Sequence, residues 1–342
     1  MRGAEDPGAV RAACQEAFSS DKKMGETMEV EAVTPRGFCH GVVDALTLAR
    51  RAAADPSVPR PIFILGMLVH NHHIVEELDQ LGVQTLDGPD RLTLLDRVPD
   101  GATVIFTAHG VSPVVRQRAA ERGLHVLDAT CSEVTRTHDV IREYVALGYR
   151  VIYVGTPGHP EPEGAMGNAP ADRIVLVSRP EDVPAIPFDP AELICVVTQT
   201  TLSQWDTQDV VDAIRARYAS AIVFNEICPA TQLRQRAVYD VSRRVDAMVV
   251  VGDERSNNTK KLVEVASRQG GIPAFRVDSV HDLTQHDWSR FRRIAVTAGS
   301  STPSRLTRAV IQQLTQWAHA TEEEGPGHEA PIVGTAGGDD GR

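Results

Sequence analysis

Between Met28 and Trp317 the chain alternates between short, unbroken apolar runs and longer segments whose apolar residues recur every three or four positions. The apolar runs Ile62–Val69, Thr103–Thr107, Arg150–Gly155, Arg173–Val177, Leu193–Thr198, Ala247–Gly252 and Arg293–Thr297 predict strands. Between them, amphipathic stretches such as Val114–Arg122, Glu133–Leu147, Leu202–Tyr218 and Asn257–Gln269 predict helices. Strands without polar alternation, each followed by a helix, are the pattern of mostly parallel sheets covered on both faces.

A longer period underlies this alternation. Cys39, Cys131 and Cys228 are separated by 92 and 97 positions. Each follows a short predicted strand (Met28–Thr34, Leu124–Leu127, Ala221–Phe224) and precedes a predicted helix. Between 28 and 31 residues after each cysteine a strand runs into a polar cluster, at His70, His159 and Ser256. Between 69 and 73 residues after it a second strand does the same, at His109, Thr200 and Ser301. Repetition of one unit three times predicts a trefoil of pseudo-symmetric α/β units. The expected division is 28–130, 131–225 and 226–319, flanked by a disordered N-terminal extension, 1–27, and a disordered Gly-, Pro- and acid-rich tail, 320–342. The third unit lacks a closing strand after Trp317, and Met28–Thr34 is expected to supply it. Ligands of parallel α/β sheets bind beyond the carboxyl ends of the strands. Three units around one axis therefore bring three thiols and six polar strand ends together.

Composition narrows the chemistry. A formal charge of −11 on 342 residues opposes a surface built to coat nucleic acid or an anionic membrane. No run approaches the roughly 20 apolar residues of a membrane span, and the N-terminus shows no secretory h-region. Five cysteines, an odd number, do not make a disulfide scaffold, so the expected home is the reducing cytoplasm.

Three reduced thiols at one point suggest a metal site. Zinc would normally add a fourth ligand and a local pair of cysteines. An iron–sulfur cubane held by three cysteines leaves one iron without a protein ligand. The competing readings are three unrelated core thiols, or a single nucleophilic thiol at Cys131 beside a histidine. Cys195, inside an apolar run, reads as a core thiol, and Cys14 as an exposed bystander. His70, His109 and His159, taken singly, are ordinary structural histidines; their matching places in the repeat make them candidate anion ligands, in their protonated form. Ser256, Asn257 and Asn258 stand where a strand passes into a helix, and Ser301 shortly before one. They are either N-caps or, with the free N–H groups there, ligands of a diphosphate. Glu161 is the first candidate proton donor and Glu163 a weaker one, because a desolvated carboxyl holds its proton near neutral pH. His40, His72, His73, His125 and His138 read as surface or helix residues.

The segments "PRGFCHGV", "VHNHHIVEEL", "FTAHGVSP", "DATCSEVTRTH", "GHPEPEGAMG", "TQTTLS", "EICPAT" and "VTAGSSTP" together resemble the LytB/IspH family of 4-hydroxy-3-methylbut-2-enyl diphosphate reductases. The resemblance runs in order from about Met28 to Trp317. It implies a [4Fe-4S] cluster on Cys39, Cys131 and Cys228, and reduction of an allylic diphosphate to isopentenyl and dimethylallyl diphosphate, the last step of the methylerythritol phosphate route. It implies a ferredoxin or flavodoxin as electron donor. It also implies Glu161 as proton relay aided by Thr200 and His159, and His70, His109, His159, Thr200, Ser256, Asn257, Asn258 and Ser301 as substrate ligands. The chain departs from the family pattern at Asn257, where a serine is usual, at Pro229, where an aromatic is, at "QLRQ" for "TNRQ", and at Asp44, where a basic residue is frequent. The alternative is a divergent relative, either reducing a related allylic diphosphate or acting as a non-catalytic iron–sulfur sensor.

Overall fold

The computed structural model describes residues 28–323. Three sheets of four strands each, parallel throughout, form three lobes. The first contains β2 (Ile62–Leu65), β3 (Val83–Leu86), β4 (Thr103–Phe106) and β5 (His125–Asp128), in the order β3-β2-β4-β5. The second contains β6 (Arg150–Val154), β7 (Ile174–Val177), β8 (Ile194–Thr198) and β9 (Ile222–Phe224), in the order β7-β6-β8-β9. The third has β10 (Ala247–Val251), β11 (Ala274–Val277) and β12 (Arg293–Ala298), closed by β1 (Glu29–Ala32), in the order β11-β10-β12-β1. All three orders are the same, so β1 holds in the third lobe the place of β5 and β9. It pairs in parallel with β12, Val30 opposite Ile294, as the missing closing strand required. The stretch 28–130 thus gives its first strand to the third sheet, not to its own.

The central strands are buried on both faces because alternate side chains enter different cores. Ile62 and Ile64 of β2 pack with Ala45, Leu46 and Ala49 of α1 (His40–Ala54), while Phe63 and Leu65 pack with Leu94 and Leu95 of α3 (Arg91–Asp96) on the other side. Truncating such a side chain to alanine costs about 2–5 kcal/mol. The same two-sided burial recurs in β6, β8 and β10, where every residue but Arg150 is fully inside.

Two strands escaped the sequence pattern. β3 and β11 are four-residue edge strands with half-exposed positions, and so lack the apolar run that marks their neighbours. The apolar run Ile62–Val69 is longer than its strand: β2 ends at Leu65 because Gly66 turns the chain with φ +101°, where a Cβ would lie 2.7 Å from the Arg91 guanidinium. The helix predicted over Asn257–Gln269 divides into α9 (Asn257–Glu264) and a π-turn, Val265–Gln269. The final helix, α10 (Ser304–Glu323), runs into the predicted tail, so its first residues are helical. The extension 1–27, with Cys14, and the rest of the tail lie outside the described residues. Among the described residues, no helix is long and apolar enough to cross a membrane.

Candidate active site

Each cysteine is a joint between two lobes. Cys39 leaves β1 of the third sheet and caps α1, which packs on the first lobe. Cys131 leaves β5 of the first sheet and caps α5 (Ser132–Ala146), which packs on the second. Cys228 leaves β9 of the second sheet and caps α8 (Pro229–Ser242), which packs on the third. All three have extended backbone at the cap and no capping bond from the side chain, which leaves the thiols for other work. Their backbone N–H groups donate in the same way to the loop after the neighbouring central strand: Cys39 to Ser300 O (3.2 Å), Cys131 to Ala108 O (3.1 Å) and Cys228 to Thr200 O (3.0 Å). The threefold repeat therefore fixes the thiols through backbone geometry, and they meet in the middle.

One central cavity is lined by all twelve candidate site residues: Cys39, Cys131 and Cys228 with His70, His109, His159, Glu161, Thr200, Ser256, Asn257, Asn258 and Ser301. Gly41 shows how tight the thiol end is, since a Cβ there would lie 2.5 Å from Cys131 Sγ. Burial pushes the Cys131 thiol up to about 11 and the Cys228 thiol upward, and charge on the neighbouring thiols adds to both shifts. Cys131 and Cys228 are thereby kept protonated when nothing is bound, whereas a soft cationic centre among the sulfurs would draw off the protons of the thiols that coordinate it. The donor set therefore fits an iron–sulfur group with three protein ligands. Cys195 lies in β8, fully buried in an apolar core away from this set.

At the other end, the His70 ring centroid stands 4.3 Å from that of His109 and 5.0 Å from that of His159. Both ring nitrogens of His70 are buried without a hydrogen-bond partner. Burial pushes His70 down to about 4 and His159 to about 3, and His109 well below the usual imidazole range. In the free protein these rings are therefore neutral, chiefly because burial disfavours their charge, with His70 and His159 adding to the effect on His109 and His70 to that on His159; protonated imidazoles are left to the anion-bound state. His159 caps α6 (Pro160–Met166) through Nδ1, which accepts from Glu161 N at 3.1 Å, so Nε2 carries its proton. Neutral donors with unspent N–H capacity, in a cavity without clustered lysines, suit an anion that brings its own charge.

Glu161 sits on the first turn of α6, 1% exposed. Burial raises its carboxyl to about 7, against the opposing effect of two bonds from Thr200, whose N–H (2.7 Å) and hydroxyl (3.0 Å) both donate to it. A carboxyl half protonated near neutrality is poised to give up a proton. Glu163 faces away, toward Arg91.

The hydroxyl and amide set is partly occupied with structure. Ser256 Oγ accepts from Thr259 N (3.2 Å), the capping role that was the plainer alternative. Ser301 Oγ donates to His70 O (2.9 Å). Asn257, the departure from serine, reaches across to the second lobe, its amide donating to Thr201 O (3.2 Å) and Oγ1 (3.1 Å). Asn258 donates to Thr231 Oγ1 (3.2 Å), which leaves its own Oδ1 buried and unpaired.

Two arginines were missed by sequence reasoning. Arg234, within "QLRQ", is 4% exposed and donates to Gly37 O (2.7 Å) and Ala230 O (2.8 Å), tying the Cys39 loop to α8 beside Cys228. The signal was present, since an arginine sat in a quoted motif, yet its spacing marks nothing. Arg91, 5% exposed, lines a second cleft that His70 and His159 share with the cavity, together with Arg255 and Lys260. Nothing in "GPDRL" announces it.

Three lobes of parallel α/β structure hinged on three thiols, with an anion-receptive imidazole cluster opposite, define a cofactor-binding α/β trefoil. The chain belongs to the LytB family: residues 30–315 match the family profile described as LytB protein. It is 54% identical over 296 residues (86% of this chain, all of the relative) to the 4-hydroxy-3-methylbut-2-enyl diphosphate reductase of Symbiobacterium thermophilum. It is 51% identical over 291 residues (85% and 92%) to the reductase of the same name from Brevibacillus brevis. Among solved structures, it is similar to the E-1-hydroxy-2-methyl-but-2-enyl-4-diphosphate reductase of Plasmodium falciparum, with a TM-score of 0.79, 30% identity and coverage of 84% and 88%. A structure of the corresponding enzyme described as terminal in the non-mevalonate pathway matches with a TM-score of 0.59 and 29% identity, covering 85% of this chain and 99% of that one.

Proposed function

We propose that the chain reduces (E)-4-hydroxy-3-methylbut-2-enyl diphosphate to isopentenyl and dimethylallyl diphosphate, consuming two electrons and two protons and releasing water. The observation that carries this reading is the single cavity shared by three thiols, three neutral imidazoles and a carboxyl raised to about 7. Cys39, Cys131 and Cys228 hold a [4Fe-4S] cluster; when bound, it supplies electrons one at a time and one iron free to act as a Lewis acid. His70, His109, His159, Ser256, Asn257, Asn258 and Ser301 bind the diphosphate. Their N–H and O–H groups turn toward its oxygens, and the anion draws protons onto the imidazoles. Glu161 holds a proton inside the water-poor cavity and delivers it, with Thr200 fixing the carboxyl's orientation. A small soluble ferredoxin or flavodoxin in the cytoplasm is the electron donor.

A thiol hydrolase centred on Cys131 has no support, because a nucleophilic cysteine needs a lowered pKa and burial pushes this one up. The test is an anaerobic assay with a reduced donor and the allylic diphosphate, on protein analysed for iron and by electron paramagnetic resonance. About four iron per chain and formation of both products are expected. Iron without turnover would point to a sensor instead, and turnover without iron would end the proposal.

A further inference from the structure

Outside the cavity, on the seam between the first and third lobes, two histidines and two aspartates meet. His72 and His73 open α2 (His72–Gln80), just past the end of β2; Asp253 and Asp278 follow β10 and β11. Asp253 is nearly buried, its side chain 4% exposed, and its carboxylate is fully engaged. Oδ1 accepts from Arg255 N (2.7 Å), and Oδ2 accepts from both His72 N (2.8 Å) and His72 Nδ1 (3.0 Å). In the neutral ring that last bond places the proton on Nδ1 and leaves Nε2 with its lone pair. Nε2 nevertheless lies 3.2 Å from Asp278 Oδ2, which is also 3.1 Å from His73 Nε2. Two acceptors at that distance repel unless something positive lies between them. Asp278 Oδ1 accepts no hydrogen bond at all and is buried.

We propose that His72, His73 and Asp278 form a zinc-type divalent-metal site, oriented by Asp253, that clamps the first lobe to the third. One ligand atom from each of the three residues lies within 4.8 Å of the others. The two His–Asp278 separations, 3.1 and 3.2 Å, are close to the edge of about 3.3 Å that tetrahedral zinc with bonds of 2.0–2.1 Å requires. The Asp253–His72 pair is the carboxylate–histidine arrangement that fixes tautomer and ring orientation at metal sites. The fourth position falls to water, which reaches the site because the His72 side chain is 46% exposed. A proton on His72 would satisfy the same contact: burial opposes it, but the Asp253 bond and the Asp278, Asp253 and Glu76 charges outweigh burial and raise the ring's pKa. That alternative is what the experiment excludes.

The anaerobically purified full chain is titrated with Zn2+ in a non-chelating buffer by calorimetry and thermal melting, and with Co2+ by absorption. One saturable site is expected that raises the melting temperature. Its Co2+ spectrum should lack thiolate charge-transfer bands, which separates it from Cys39, Cys131 and Cys228 whether or not they carry their cofactor. His73→Gln and Asp278→Asn should each weaken binding at least about tenfold, and Asp253→Asn about 10- to 100-fold. His73→Gln keeps a polar, partly exposed side chain and serves as the variant that folds. Binding that survives His73→Gln and Asp278→Asn but disappears with His109→Gln would place the metal on the cavity imidazoles and overturn the proposal. A melting temperature that responds to pH alone, with no saturable metal binding, would overturn it in favour of the proton.

Discussion

His70 and His72 are two residues apart, yet the fold gives them opposite electrostatic surroundings. His70 turns into the centre, where its neighbours are His109 and His159 and neither ring nitrogen finds a partner. His72 turns to the seam, where two carboxylates flank its ring. Burial drives the first ring to about 4, while hydrogen bonding and nearby carboxylate charge, against the opposing burial, raise the second. One group awaits an anion and the other a cation. A histidine's charge is thus set by what faces it across the lobes, because a change of partner moves an imidazole through neutrality in a way it cannot move a lysine or a carboxylate of ordinary pKa.

The sharpest test of the central group removes its proton rather than its binding. Glu161→Gln should cut turnover by about 10²- to 10⁴-fold while iron content and pyrophosphate affinity stay unchanged, read by steady-state assay and calorimetry. Next, His109→Asn should weaken pyrophosphate binding by about 10- to 100-fold, the value of one hydrogen bond to a charged group, and leave Zn2+ binding at the seam as it was. If both fell together the two groups would not be independent. Smaller again is the acid response of the free protein. A His70 pKa lowered from 6.5 to about 4 means the unfolded chain takes up a proton that the folded one refuses. Stability from this residue is full above pH 6.5 and is lost as pH falls toward 4. Wild type should lose about 2 kcal/mol more than His70→Gln between pH 7.5 and 5, by urea unfolding. Last, Arg50→Ala, which breaks an exposed pair with Glu77 that bonds to neither group, should cost less than about 1 kcal/mol and shift neither binding curve.

How much of this was legible beforehand differs by element. The central strands were plain, since side chains alternating into two apolar cores write an unbroken apolar run. Edge strands β3 and β11 were not, since half-exposed residues carry no such mark. The cysteine period exposed the trefoil and the closing role of β1, and with them the three thiols and the six polar strand ends that line the cavity. Their charge states were not legible. Nothing in "VHNHH" tells His70, whose ring bonds to no carboxylate, from His72, whose ring meets two, because Asp253 and Asp278 lie about two hundred positions further along.

The amino-acid order by itself determined the repeat, the alternation of strand and helix, and the residue types delivered to each strand end. These depend on local period and on spacing, both of which are written along one dimension. The tertiary structure alone decided which lobe each cysteine joins, that Arg234 ties two of their loops, and that one cluster of histidines is neutral while its neighbour is paired with acid. Desolvation and Coulomb interactions act through space over a few ångströms, and that distance exists only once the three sheets have closed around their axis.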